Sequence, residues 1–253
     1  MANSKKLGII QSRGLGDIVI ALPIALHYHE QGYHVHWPVL EQWVEQLQHY
    51  VPWVKWIPIP QDTGAFFYEV PLQRLKNFDC TEIICLYNAL TNHPEFSNEP
   101  FFQFTTFDQY KYVQAAVPFL NKWRLAECIR RDPIREQVIY DKYVTQSDYV
   151  VTHLNSSNYT VKFDDSIVPE DWQIIPITDD GWVFDWLLTL EKAQSLIMTN
   201  SVFANLVDQM SIGDDRYYIP LHHLNWSPVW GNTWTWLENP DLPAHHRTVG
   251  TPK

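Results

Sequence analysis

The chain has 253 residues, 45% hydrophobic and 19% charged, with a formal net charge of −11. That balance excludes an intrinsically disordered chain, and no apolar run reaches the ~18 residues a membrane-spanning helix needs. No basic-then-apolar leader opens the chain, so the expected location is cytoplasmic, without stable membrane insertion. Residues 150–253 carry 5 Lys and Arg against 13 Asp and Glu, while residues 1–149 carry 13 against 16, so the acidity belongs mainly to the second half. The three cysteines, Cys80, Cys85 and Cys128, are odd in number and lack metal-ligand spacing, which predicts reduced, buried thiols.

In chain order, strand-like runs at Leu7–Gln11, Tyr33–Pro38, Val54–Ile59 and Glu82–Leu86 alternate with helix-like stretches at Ile18–Gln31, Leu40–Tyr50 and Phe66–Asn77. Ile18–Gln31 reads as a helix with its apolar residues on one side. Such alternation implies a parallel sheet with right-handed crossovers. Residues 87–110 hold Pro94, Pro100 and many Phe and Asn and read as an irregular loop. Helical pattern resumes near Phe107–Ala116 and Lys122–Arg131. The basic residues Lys122, Arg124, Arg130, Arg131, Arg135 and Lys142 are interleaved with Glu127, Asp132, Glu136 and Asp141, which reads as a solvated helix face or as a docking surface for a polyanion.

A second alternating unit follows. It comprises strand Tyr149–Leu154, polar loop Asn155–Lys162, strand Gln173–Ile177, helix Val183–Gln194, strand Ser195–Met198, helix Ser201–Met210 and strand Arg216–Ile219. The tail after Pro220 is rich in Trp, Pro and His and has little periodicity. The fold class expected is α/β, two small domains (residues 1–147 and 148–253) facing each other across a cleft.

The turn Gln11-Ser12-Arg13-Gly14-Leu15-Gly16-Asp17 joins the first strand to the first helix, at a strand's carboxyl end, where open α/β sheets bind ligands. It is not a dinucleotide fingerprint: Val19 holds the third glycine position, and the second strand ends Trp37-Pro38 without an acidic residue for a ribose. A phosphate loop would need Gly-Lys-Ser/Thr, and a hydrolase elbow Gly-x-Ser-x-Gly; neither occurs. The pairs His34/His36, His222/His223 and His245/His246 have no Cys or Glu at ligand spacing, so no metal is expected.

The run Ile10 to Pro23, a strand followed by Gly16-Asp17, apolar residues and Pro23, resembles the opening of the heptosyltransferase-like glycosyltransferases. Leu196 to Leu206, with Thr199-Asn200-Ser201-Val202-Phe203-Ala204-Asn205, resembles that family's strand followed by Asp-Ser/Thr-Gly-x-x-His-Leu. Val151 to Ser157 followed by Lys162 resembles its strand and polar loop with a donor-contacting lysine, and Trp226–Trp230 resembles the end of its donor loop. Asn200 stands where the family has Asp, Val202 where it has Gly, and Asn205 where it has His.

The resemblance implies a two-domain GT-B fold, an acceptor domain first and a nucleotide-sugar domain second. It also implies inverting, metal-independent transfer from a nucleotide-diphosphate sugar, with Asp17 as general base. Lys162, Ser156, Ser157, Asn200, Ser201 and Asn205 would hold the donor phosphates, and Arg13, Gly14 and Gly16 would meet acceptor or phosphate. No cofactor is expected beyond the donor sugar nucleotide as co-substrate. From the residues alone, Asp17 reads as a cap on the following helix rather than as a base. Two other functions stay open: a DNA glycosyltransferase acting on a hydroxymethylated base, using the Lys122–Lys142 cluster and loop 96–110, and a non-catalytic nucleotide-sugar-binding module. The acceptor is thus a saccharide or a modified DNA.

Overall fold

The computed structural model describes residues 5–61, 67–87, 105–156, 159–221, 229 and 233–239. The chain divides into two compact units, residues 1–130 and 131–253. The first holds β1 (Lys6–Ile10), α1 (Leu15–Glu30), β2 (His34–Leu40), α2 (Glu41–Tyr50), β3 (Lys55–Ile59), α3 (Glu69–Asn77) and β4 (Glu82–Cys85). It continues through α4 (Gln109–Gln114), a 3-10 turn (Phe119–Arg124) and the single turn α5 (Leu125–Cys128). Its four strands are parallel throughout, in the order β3-β2-β1-β4.

Why β1 is central follows from its residues. Leu7 to Ile10 are all buried, as a strand covered on both faces must be. Gly8 lets α3 approach it, since a Cβ there would lie 2.7 Å from Leu75 Cδ1. Helix α1 differs from the expectation of one apolar side. Ile18 through Leu26 are buried without a break, because one side meets the sheet while α4, the 3-10 turn and α5 cover the rest. Pro23 lies inside α1 and removes the N–H that would bond the Val19 carbonyl. The Tyr112 hydroxyl donates to Ile20 O at 2.9 Å and the Tyr28 hydroxyl to Ala115 O at 2.7 Å, so α4 is fastened along α1.

The second unit begins with α6 (Pro133–Tyr143), followed by β5 (Tyr149–His153), β6 (Gln173–Pro176), a 3-10 turn (Val183–Trp186), α7 (Leu187–Lys192), β7 (Ser195–Thr199), α8 (Val202–Met210), β8 (Arg216–Ile219) and β9 (Thr235–Trp236). Its sheet is parallel, in the order β6-β5-β7-β8-β9. Helix α6, whose start at Asp132-Pro133 combines an N-cap with proline at the first helical position, packs on α7 within this unit. β9 lies in the tail whose weak periodicity predicts no element.

The basic cluster is not one solvated helix face. Residues 122–131 are not one helix, and Lys122 is wholly buried, 2.8 Å from an equally buried Asp108. Arg124 pairs with Glu30 and Glu127, Arg131 with Glu136 and Glu191, Arg135 with Asp185, and Lys142 with Asp180. Arg130 donates to His49 O. The charges are spent on the protein itself. Cys85 and Cys128 are buried, Cys80 is half-buried, and all three are free thiols. No helix among the described residues is long and apolar enough to cross a membrane.

The Lys122–Asp108 pair generates a direct expectation. Lys122→Met leaves Asp108 charged and buried and should cost about 3–5 kcal/mol in denaturant unfolding. Adding Asp108→Leu should recover most of that loss.

Candidate functional site

A parallel sheet wound in both directions has a switch point, and ligands collect outside the carboxyl ends of the strands that flank it. In the first unit the chain steps from β1 outward through β2 and β3, then returns to add β4 on β1's other side. The switch lies between β1 and β4, paired Ile10 with Cys85. In the second unit β5 sits between β6 and β7, so the switch lies between β5 and β7, paired His153 with Met198. Each of the turns singled out in the sequence sits at one of these strand ends.

At the first switch point the backbone is tied down from several sides. Leu86 N bonds Ile10 O, Leu40 N bonds Ser12 O, and Trp37 Nε1 donates to Gln11 O at 3.0 Å. The Tyr87 hydroxyl accepts from Arg13 N at 2.8 Å and lies 3.2 Å from Ser12 Oγ. Burial pushes this phenol up to about 12, so it stays protonated. Arg13 is exposed, its guanidinium over the Phe67 ring.

Helix α1 starts at Leu15, earlier than the expected Ile18, which places Asp17 within the first turn rather than at the cap position. Gly14 is the N-cap, with φ +80°, and a Cβ on it would collide with Asp17 Oδ2. Glycine at 14 therefore serves both the turn and the carboxylate curled against it.

The feature that sequence reasoning missed is Lys111. Its ammonium, 0% exposed, lies 3.1 Å from Asp17 Oδ1. It donates to Gln11 Oε1 at 2.8 Å, Tyr110 Oη at 2.9 Å and Leu86 O at 3.3 Å, over the rings of Phe107 and Tyr110. The contact with Asp17 is an ion pair without an aligned hydrogen bond. Oδ1 is sealed from solvent, while the side chain as a whole keeps 22% exposure. Burial raises the Asp17 carboxyl above the usual carboxylate range, and Lys111 pulls the other way without cancelling it. Burial alone would lower the Lys111 ammonium, but Asp17 and Tyr110 outweigh that and leave it raised. The pattern Phe107-x-x-Tyr110-Lys111-Tyr112, a lysine set among aromatics, was the available signal.

At the second switch point Ser201 is the N-cap of α8, its Oγ accepting from Ala204 N at 3.3 Å, and Asn200 precedes it at the end of β7. Asn205, one turn in, is buried, and its Oδ1 has no partner among the described residues. His153, at the end of β5, packs tilted against Phe203 at 4.7 Å between ring centroids and likewise leaves Nδ1 unpartnered among the described residues. Desolvation lowers this imidazole to about 4, with Asp179 opposing, so it is neutral. The loop after β5 folds back through an Asn155–Thr160 bridge; Ser156 N bonds Tyr159 O, and Lys162 is exposed just beyond. Ser157 and most of Trp226–Trp230 lie outside the described residues, as does most of the loop 96–110.

Arg13, Gly14, Gly16 and Asp17 thus share one turn; Asn200, Ser201 and Asn205 share one strand-to-helix junction; Ser156 and Lys162 follow the neighbouring strand. Among the described residues no group of three His, Cys, Asp or Glu is placed to hold a metal ion. A cavity of about 340 Å³ opens at the opposite, amino-terminal edge of the first sheet, lined by Lys6, His34, Val35, His36, Trp53 and Lys55. Lys6 there donates to Phe78 O at the end of α3, as cations at helix C-termini do.

By sequence, no family model and no curated protein matches the chain. By structure it is similar to a family 9 glycosyl transferase from Veillonella parvula DSM 2008, with TM-score 0.61 at 10% identity, over 94% of this chain and 86% of that one. It is also similar to the E. coli ADP-heptose LPS heptosyltransferase II, with TM-score 0.54 at 8% identity, over 92% and 90%. The dodecameric iron-containing glycosyltransferase TibC from enterotoxigenic E. coli H10407 matches at TM-score 0.55 and 11% identity, over 95% of this chain and 64% of that one. The likeness is one of fold: an α/β chain of two Rossmann-like units, the architecture of heptosyltransferase-like glycosyltransferases.

Two expectations follow from this geometry. Gly14→Ala should displace the Asp17 carboxylate and cost about 1–2 kcal/mol or more, read by urea unfolding. His153 titrates lower when folded than unfolded, so its contribution to stability is present above its unfolded value near 6.5 and is lost as pH falls toward 4. The loss is up to roughly 3 kcal/mol, and His153→Phe should flatten that part of the melting temperature against pH.

Proposed function

We propose that the chain is a glycosyltransferase that moves a sugar from a nucleotide-diphosphate donor to an acceptor hydroxyl with inversion and without a metal. The carrying observation is the partly exposed carboxylate of Asp17, at the first switch point, held beside a buried lysine. In the proposed reaction the acceptor oxygen bonds to the anomeric carbon as the bond from that carbon to the diphosphate breaks. The hydroxyl proton passes to Asp17. A carboxylate raised by burial is the stronger base, and general base catalysis is typically worth about 10²–10⁴-fold.

Departing diphosphate needs donors. The first backbone N–H groups of α8, with the favourable end of its dipole, would receive it, and Lys162 would add a point charge. The Ser201 hydroxyl oxygen caps Ala204 N and can still donate its proton, while Asn200, Asn205 and Ser156 supply further polar groups. Ser157 belongs to the same proposed set. Arg13, with the backbone of Gly14 and Gly16, would meet acceptor or phosphate oxygens. Residues 1–147 would form the acceptor side and residues 148–253 the donor side. An ADP-sugar is the first donor class to try, since one structural relative is named for ADP-heptose. The acceptor we favour is a saccharide hydroxyl: the cations that a DNA groove would need are engaged in ion pairs.

Binding without turnover is the second reading, favoured by Asn200 and Asn205 where the family pattern has Asp and His. One experiment separates the two. Nucleotide sugars should raise the melting temperature of wild type and of Asp17→Asn alike, with diphosphate release lowered about 10²–10⁴-fold in the variant. Normal turnover by Asp17→Asn would remove the base assignment, and a thermal shift with no release on any acceptor class would favour a binding module.

A further inference from the structure

We infer that Lys111 is a positioning residue that keeps Asp17 ionised and turns its Oδ1 inward, so that the other oxygen is left for the acceptor proton. The inference rests on the reading of Asp17 as the base. An ammonium has three protons to donate, and Lys111 has four oxygens around it: Gln11 Oε1, Tyr110 Oη, Leu86 O and Asp17 Oδ1. Three of these are neutral and come from the end of β1, the end of β4 and α4 itself. The lysine is therefore held in place without needing the carboxylate.

What carries Lys111 is also held independently. Helix α4 begins at Asp108, which accepts from Gln109 N at 2.9 Å and Thr106 Oγ1 at 2.6 Å and pairs with buried Lys122. Tyr112 and Tyr28 tie the same helix to α1. A buried cation on a short helix is an expensive way to fill space, because a well-packed apolar residue usually serves stability as well as a buried ion pair does. The charge has its effect at Asp17. The titratable groups around the pair are Tyr87 after β4, Tyr110 on α4 and Cys85 in β4, all raised by burial and neutral at pH 7, so Lys111 is the charged neighbour that sets the carboxylate's state.

The test is the titration of the Asp17 carboxyl carbon by NMR, assigned with Asp17→Asn, alongside the acid limb of kcat/KM against pH. Lys111→Met should move both midpoints upward by about one pH unit or more, since the opposite charge that lowers them is gone. On the acid limb that is about a tenfold loss of rate for each pH unit moved. Tyr110→Phe, which frees the ammonium from one competing acceptor, should move them the other way and tests the idea even if Lys111→Met does not fold. A lower melting temperature with unmoved midpoints would overturn the inference and leave Lys111 a structural residue. Midpoints that move in a protein with no transferase turnover would uphold the coupling and sink the proposed reaction instead.

Discussion

A parallel sheet that winds both ways leaves a gap at one place on its carboxyl edge, where neighbouring crossovers depart to opposite faces. Both units of this chain meet that constraint, and both put polar residues into the place it leaves. In the first, Gln11, Ser12, Tyr87 and Lys111 fill the space with hydrogen bonds rather than hydrocarbon. In the second, Asn205 and His153 bring polar atoms with no partner among the described residues. Buried polar atoms are costly unless satisfied, and here they stand at a strand end in place of the apolar residues of the core.

The charges tell a similar story at longer range. Net charge alone makes the protein an acidic object, yet two lysines, Lys111 and Lys122, are wholly buried. Each faces an aspartate, and the two pairs share one short segment, Asp108 to Lys122. The outer pair fixes the segment and the inner one reaches the turn. A net excess of acid and buried lysines near the turn are compatible because each buried lysine is matched by an aspartate.

How much of this was legible from the residues varies with the physics involved. The regular alternation was readable because parallel strands buried on both faces must be apolar runs, as Leu7–Ile10 and Leu196–Met198 are. The end of β1, the Gly14 turn and the Ser201 cap were readable because their signals are local in sequence. Lys111 was harder to find, since its partners Gln11 and Asp17 lie 100 and 94 residues away along the chain and the only local signal is the aromatic run around it. For the same reason the basic cluster misleads: the acids that neutralise Arg124, Arg131 and Arg135 include Glu30, Glu191 and Asp185, far off in sequence. Helix α6 was within reach through Asp132-Pro133, whereas β9 pairs with β8 without any periodicity of its own.

Proline inside α1 has a mechanical side. Beyond Asp17 the helix loses one rung of its own ladder at Val19, and close to that rung the Tyr112 hydroxyl clamps Ile20 to α4. The leading turns of α1 are thus bolted to the neighbouring segment at the spot where their grip on the rest of the rod is weakest. A tilt of those turns would carry acid and counter-ion as one body, and the distance between them would survive a displacement that alters everything else around the turn.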